Sequence, residues 1–427
     1  METAMTTSID VVPEQLRVDY DPWNVDMYTP KDVFQDVVAG LASAGPVVYS
    51  TRHGGFWVVT GYPEAHQVLR DPETFSSWPN NIIPHGAGKF LPLELDPPEH
   101  TSFRHALQPL FNPSRMNALE PQIRGIVNDL IDGFAAKGRA EFISEFAHEV
   151  PARAFLALMG WPLADAPLFS ECTDTTLLGK PGASEEESNA ARFEAAGRLT
   201  EYFMKVIEER RGGSADSDDV TTRIINTPLT VNGETRLFTD AELGNMFHLL
   251  SIAGLHTTQG SMAWGLQHLS ARPEQRDRLV ADPKLVPQAV EEVLRLEAAV
   301  SMGRRATKDM ELGGVQIRAD DQLLMVLSGT NRDTREFDAP TEVDIERTPN
   351  RHLSFGAGPH RCIGSHLARV ELRIALEEIH RRIPDYRLDP DEGPTTHGSQ
   401  TRGVLRMPIV FTPEAGGSRS KHQHEQP

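Results

Sequence analysis

The sequence predicts a mainly α protein with a small β region, and three observations predict it. From about Tyr62 onward apolar residues recur mostly at helical spacing, with loops marked by Pro and Gly. One such run, beginning at Thr239 and stopping at Arg272, has the length of a helix crossing a whole protein. Strand-like runs are short and few, at residues 47–49, 56–59, 312–317, 322–327 and 408–411.

In chain order, the first thirty residues mix Pro, Asp and Thr without periodicity and read as an extended arm. The first two strand runs flank Gly54-Gly55, a pair suited to a hairpin turn. Thr239-Asp240-Ala241-Glu242 is a capping box, after which Leu243, Met246, Phe247 and Leu250 keep helical spacing until Pro273 stops it. Within that run, Ala253-Gly254-Leu255-His256-Thr257-Thr258 holds a glycine that costs about 1 kcal/mol relative to alanine, which points to a packing or functional reason. Residues 413–427 read as a disordered tail. No internal repeat or low-complexity linker divides residues 1–412, which are expected to form one domain.

Bulk properties exclude several classes. A formal charge of -19 argues against nucleic-acid binding, which needs a basic footprint. No run approaches the ~20 apolar residues of a membrane span. The start, METAMTTSIDVVPEQ, lacks the basic and apolar regions of a secretory signal, so a cytoplasmic protein is expected. The two cysteines, Cys172 and Cys362, are not expected to pair in a reducing compartment, and no zinc-type spacing occurs. Cys172 reads as a buried, inert thiol.

Cys362 is different. It lies in Phe355-Gly356-Ala357-Gly358-Pro359-His360-Arg361-Cys362-Ile363-Gly364, where three glycines let the backbone approach a flat object closely. Ile363, Leu367, Val370 and Ile374 follow at helical spacing, so the thiol precedes a helix N-terminus that would favour a thiolate. Such a thiolate could be a nucleophile or a metal ligand.

This segment resembles the haem-binding loop of the cytochrome P450 family, Phe-Gly-x-Gly-x-His-x-Cys-x-Gly, at every fixed position. Three more of that family's motifs follow its order. Glu292-Val293-Leu294-Arg295 is similar to its Glu-x-x-Arg pair, whose spacing puts both charges on one helix face. Asp96-Pro97-Pro98-Glu99-His100 with Arg104 resembles the helix start whose His and Arg hold a haem propionate. Asn331-Arg332-Asp333 with Phe337 and Pro340 is similar to the meander before the cysteine loop. The resemblance covers residues 19–413 and extends in particular to soluble bacterial members that oxidise small terpenoids, such as the camphor hydroxylase.

The resemblance implies the cytochrome P450 fold, a helical triangular prism around a buried haem b. It implies Cys362 as iron ligand, His100, Arg104, Arg304 and His360 as further haem-binding groups, and Glu292–Arg295 as a structural pair. It implies a haem-thiolate monooxygenase that inserts one oxygen atom from O2 into a small, largely apolar substrate, by hydroxylation or oxidative demethylation. Trp78, Ile82, Ile83, Phe90, Leu249, Ile252, Ala253, Ala299, Val300, Met302, Gln400 and Thr401 are the pocket residues it implies. Thr257 matches the family's proton-delivering threonine, with Gly254 leaving room for dioxygen.

His256 stands where the family has an acid. Three readings stay open: His256 relays protons itself, it turns away and leaves water and Thr257 to do so, or oxygen activation is slow and uncoupled. Because histidine titrates near neutral pH, coupling is expected to fall as pH rises if the first holds. No fused flavin or iron–sulfur signature is present, so a separate ferredoxin and ferredoxin reductase are expected as donors to a monomer. Arg104, Arg361, Arg369 and Arg373 could give them a basic landing site, although solvated helix faces explain the last two equally well. Two alternatives are a peroxide-driven peroxygenase, lowered but not removed because the arginine that the family's peroxygenases place in the central helix is absent beside Thr257, and a non-catalytic haem-based ligand-binding protein, which only His256 favours.

Overall fold

The computed structural model describes residues 12–29, 31–79, 82–83, 89–180, 182–212, 219–231 and 233–414. The helix Asp240–Ser270 is its axis. Thr239 Oγ1 accepts from the Glu242 N–H at 3.2 Å and the Glu242 carboxylate accepts from the Thr239 N–H at 2.8 Å, a reciprocal cap of the order of 1 kcal/mol. The helix ends two residues short of the predicted Arg272, whose φ of -135° and ψ of 71° follow the extended preference of a residue before proline. Its 31 residues span about 46 Å. Helices Glu149–Met159, Ala166–Leu178, Glu185–Gly212, Val286–Leu296 and Ser365–Arg382 pack around it. Phe247, Gln259 and Trp264 are all buried, so it runs through the core rather than over it.

The β region is one six-stranded sheet and four smaller sheets among the described residues. In the large sheet Arg17–Val18 lies parallel to Val47–Ser50, which pairs antiparallel with Phe56–Val59 through the expected hairpin. Gly55, at φ 98°, is required there, because a Cβ would fall 1.9 Å from the Tyr49 hydroxyl. Gln322–Val326 adds parallel to Phe56–Val59, followed by Ser301–Ala306 and Phe75–Ser76. Strand Pro408–Val410 pairs with Arg139–Glu141 and Arg387–Leu388.

Three expectations change. The described part of the N-terminal arm is packed: its strand edges the sheet, and Tyr20, Met27 and Tyr28 are buried. Strand Ser301–Ala306 was not anticipated, because its two arginines mask the apolar pattern. At the other end, Glu414 is held by an ion pair to Arg382 at 2.8 Å, so the chain stays ordered past residue 413; the rest of the expected tail, 415–427, lies outside the described residues.

Candidate functional site

The cysteine loop is set by backbone first. Gly356 and Gly358 have φ of 66° and 68°, and a Cβ on Gly358 would lie 2.4 Å from the Leu69 carbonyl oxygen. Cys362 N donates to Phe355 O at 2.8 Å, closing the loop just before helix Ser365–Arg382. The thiol is half-buried. Burial pushes its pKa up, and the Gly364 N–H with Arg104, Arg361 and Arg369 only partly offsets that. The helix N-terminus therefore does not by itself produce the expected thiolate; coordination to a metal ion would deprotonate it.

Behind the loop lies a fully buried ion pair. Arg295 donates twice to Glu292, at 2.7 Å each, and also to the carbonyls of Asn331, Pro340 and Glu342. Glu292 accepts in addition from Arg347, Asn350 and the Asp344 N–H. Asn331 joins this network to the loop, donating to Ser354 Oγ at 2.8 Å and accepting from Leu353 N at 2.7 Å. Its residues come from the Glu-x-x-Arg helix and the meander, and together they anchor the chain entering the cysteine loop.

Four cation-forming side chains converge where no carboxylate pairs with them among the described residues. Arg304, 2 % exposed, donates to Gly303 O; burial lowers its pKa to about 10, with Asp96 alone opposing. The rings of His100 and His360 are 3.9 Å apart. Burial, then Arg104 and Arg304, lowers His100 to about 4; burial, Arg304, His100 and Arg104 lower His360 to about 2. Burial also lowers Arg104. His100 Nδ1 is buried without a hydrogen-bond partner among the described residues. Burial and mutual repulsion thus keep the two histidines neutral and disfavour the charge on the two arginines, which a carboxylate-bearing ligand would stabilise. A cysteine in a glycine bend beside such a cluster suits a haem, with Cys362 toward its iron and these four groups toward its propionates.

Along the central helix a cavity of about 710 Å³ opens, within the usual range for ligand pockets. Ile82, Phe90, Leu249, Ile252, Ala253, Val300, Gln400 and Thr401 line it, together with Thr257. Val300 and Thr401 are joined by a β-bridge. Thr257 Oγ1 donates to Ala253 O at 2.9 Å, so its hydroxyl hydrogen is held by its own helix while its lone pairs stay available. A Cβ at Gly254 would meet only Phe155, at 3.9 Å.

Several residues sit elsewhere than expected. Ile83 does not border the cavity: it is fully buried, its N–H bonded to Gln400 Oε1 and its carbonyl to Trp23 at 2.7 Å. Trp78 lies under Lys89 Nζ at 5.0 Å, and the Met302 side chain packs against the cysteine loop at Gly356. His256 turns away from the cavity. It is 2 % exposed, with Nε2 3.1 Å from Asp174 Oδ1 and its ring edge-on to His397 at 5.0 Å. This placement is the one described by the second reading of His256, in which the ring turns away. The basic landing site also shrinks, since Arg369 pairs with Glu291 and Arg373 with Glu120 and Glu377.

Thr176, Leu177 and Arg192 line the cavity without having been anticipated, as do Trp23 and Leu93. They sit in segments that carry no motif and were reached only by tertiary packing. Asp174 was missed for the same reason.

Known proteins agree with this geometry. A family model described as Cytochrome P450 matches residues 186–409. Pentalenic acid synthase of Streptomyces avermitilis is 34% identical over 398 residues, covering 90% of this chain and 95% of the relative. Cytochrome P450 monooxygenase PikC of Streptomyces venezuelae is 33% identical, over 87% and 89% of the two chains. Among solved structures, CYP101J2 superposes with a TM-score of 0.82 at 27% identity, covering 94% of this chain and 99% of that one.

Proposed function

The chain belongs to the cytochrome P450 family, and from that premise we propose that it inserts one oxygen atom from O2 into a small, largely apolar organic molecule. It is a haem-dependent monooxygenase that draws electrons from redox partners. The observation that carries the substrate reading is the cavity of about 710 Å³, walled by Ile82, Phe90, Leu249, Ile252, Ala253 and Val300 and bordered by the Thr257 hydroxyl. An apolar skeleton buries against these side chains. Gln400, Thr401 and the mouth residue Arg192 offer the few polar contacts that set its orientation.

Haem b, once bound, supplies the oxygen-activating chemistry, which a thiolate ligand directs toward O–O cleavage. Cys362 supplies that thiolate, and Arg304, Arg104, His100 and His360 neutralise the propionates. The Glu292–Arg295 network keeps the thiol-bearing loop in place. Thr257, with lone pairs open to the cavity, holds a water for proton delivery.

Hydroxylation or oxidative demethylation of a terpenoid or small aromatic is the first choice, ahead of a steroid or a macrolide. A ferredoxin with its reductase is the donor system, docking near the exposed Arg361 on a monomeric, cytoplasmic enzyme. Among the described residues no helix is long and apolar enough to cross a membrane. His256, once the only residue favouring a non-catalytic role, lies off the cavity and no longer supports it. The test is an optical titration of the haem-loaded protein with terpenoids, methoxybenzoates and steroids. A low-to-high-spin shift identifies the class. No shift with any of them overturns the substrate reading.

A further inference from the structure

The walls of the cavity are mostly apolar, but three of the residues that border it titrate: His53, Glu185 and Arg192. His53 Nε2 lies 2.8 Å from Asp21 Oδ1, so any charge it carries is already paired. Glu185 stands exposed in the first turn of helix Glu185–Gly212. Arg192 follows seven residues later, about 10 Å further along the same axis, which exceeds the screening length of about 8 Å in physiological salt. Among the described residues no carboxylate lies at ion-pair distance from Arg192.

The half-buried guanidinium is nevertheless held in place. Arg192 Nε donates to Thr176 O, near the carbonyl end of helix Ala166–Leu178, at 3.3 Å, and Nη1 donates to Asn189 Oδ1 at 2.9 Å. Gly179 turns the chain at φ 71°, and a Cβ there would fall 2.9 Å from Nη2, so the glycine leaves the guanidinium room. Nη2 itself donates to nothing among the described residues. Both fixed partners are neutral, so the protein orients this charge without neutralising it.

We propose that Arg192 is the anion-binding residue of the cavity, and that the molecule oxidised is an acid with an apolar skeleton and one carboxylate. The proposal rests on the monooxygenase reading and narrows its substrate class. The planar N–H pairs of a guanidinium match the two oxygens of a carboxylate. One cation balances one negative charge; a doubly charged phosphate would leave an excess against apolar walls. At a half-buried arginine the carboxylate keeps part of its hydration, while the skeleton covers Leu177, Leu249, Ile252 and Val300. Because Thr176 and Asn189 already fix the guanidinium, little side-chain freedom is lost when the acid arrives.

The test uses the full, haem-loaded chain, with perillic, cinnamic and dodecanoic acids as probes, each beside its primary amide. At neutral pH the acids are ionised and the amides are not. Dissociation constants are read by calorimetry and by the spin shift of the haem. At least one acid should bind about tenfold or more tightly than its amide. Arg192→Gln should bring that acid and its amide to within about twofold of each other. Asn189→Asp, which sets a carboxylate on the guanidinium while leaving Arg192 on Thr176, should do the same.

Acids that bind no more tightly than their amides overturn the proposal, as does a preference that survives Arg192→Gln. If the Gln variant does not fold, Asn189→Asp decides in the same way. Amides that bind while the acids do not overturn the proposal alone. Silence with every acid and every amide overturns the apolar-substrate reading and the proposal with it. Each protein is first checked for the thiolate signature of its reduced carbon monoxide complex, whose loss in wild type would overturn the monooxygenase reading itself.

Discussion

Helix Val286–Leu296 and helix Ala166–Leu178 both pack on the central helix and treat charge in opposite ways. Around the first, each ionic group has several partners: Glu292 and Arg295 are fully buried and joined to the meander, and Glu291 holds both Arg369 and His352. Around the second, Arg192 binds the neutral oxygens of Thr176 and Asn189 with no carboxylate at ion-pair distance among the described residues, and Asp174 shares two histidines. The first arrangement fixes a loop in one geometry. The second leaves groups ready to meet something that comes and goes.

Substitutions can break this contrast. The largest effect is expected from Arg295→Met, which takes away the bidentate partner of the buried Glu292 and leaves it Arg347 as its remaining cation among the described residues. It should cost about 3–5 kcal/mol and abolish haem retention, read by denaturant unfolding and haem content. A variant that unfolds like wild type would show that the network is replaceable. Next comes Arg304→Leu, which removes a proposed propionate partner without disturbing the Glu292 network. Haem transfer to apomyoglobin should then run about tenfold faster or more, while the apoprotein keeps its fold.

Glu291→Gln sharpens the contrast through pH. Burial pushes Glu291 up, but Arg369 and His352 outweigh it and hold it near 2, against an ordinary value of 4.5. A depressed carboxylate contributes stability above its unfolded pKa and loses it as pH falls through the folded one. The Gln variant should therefore lose less stability than wild type between pH 4.5 and 2. For this half-exposed pair the difference is at most about 1 kcal/mol. The smallest structural effect belongs to Thr257→Ala. Among the described residues its hydroxyl bonds only its own helix, so stability should change by less than about 0.5 kcal/mol. Product formed per electron consumed should fall nonetheless, and a variant as well coupled as wild type would remove Thr257 from proton delivery.

The same contrast explains what could be read in the sequence. Cofactor attachment uses fixed residues at short spacing, so the cysteine loop, the Glu-x-x-Arg pair and the His100–Arg104 turn stood out as strings. The capping box at Thr239 marked the axis helix because its two hydrogen bonds are local. The cavity is assembled from segments hundreds of residues apart, and neither Thr176 nor Arg192 carries a signature. Ile83 was misplaced because its segment borders the cavity at Ile82 while its own side chain turns into the core. His256 could be recognised as a departure, but its partner Asp174 could not, because their contact is purely tertiary.

The large sheet has one consequence for synthesis. Strand Phe56–Val59 is wholly buried, yet one of its flanks is closed by Leu323, Leu324 and Met325. At translation rates of ~5–20 residues per second, that partner leaves the ribosome on the order of 15 to 50 s after the hairpin does. Throughout that interval the nascent chain presents an unpaired apolar ribbon, and any pause before residue 326 lengthens the exposure. That interval makes the hairpin the stretch most open to pairing with its neighbours on a polysome.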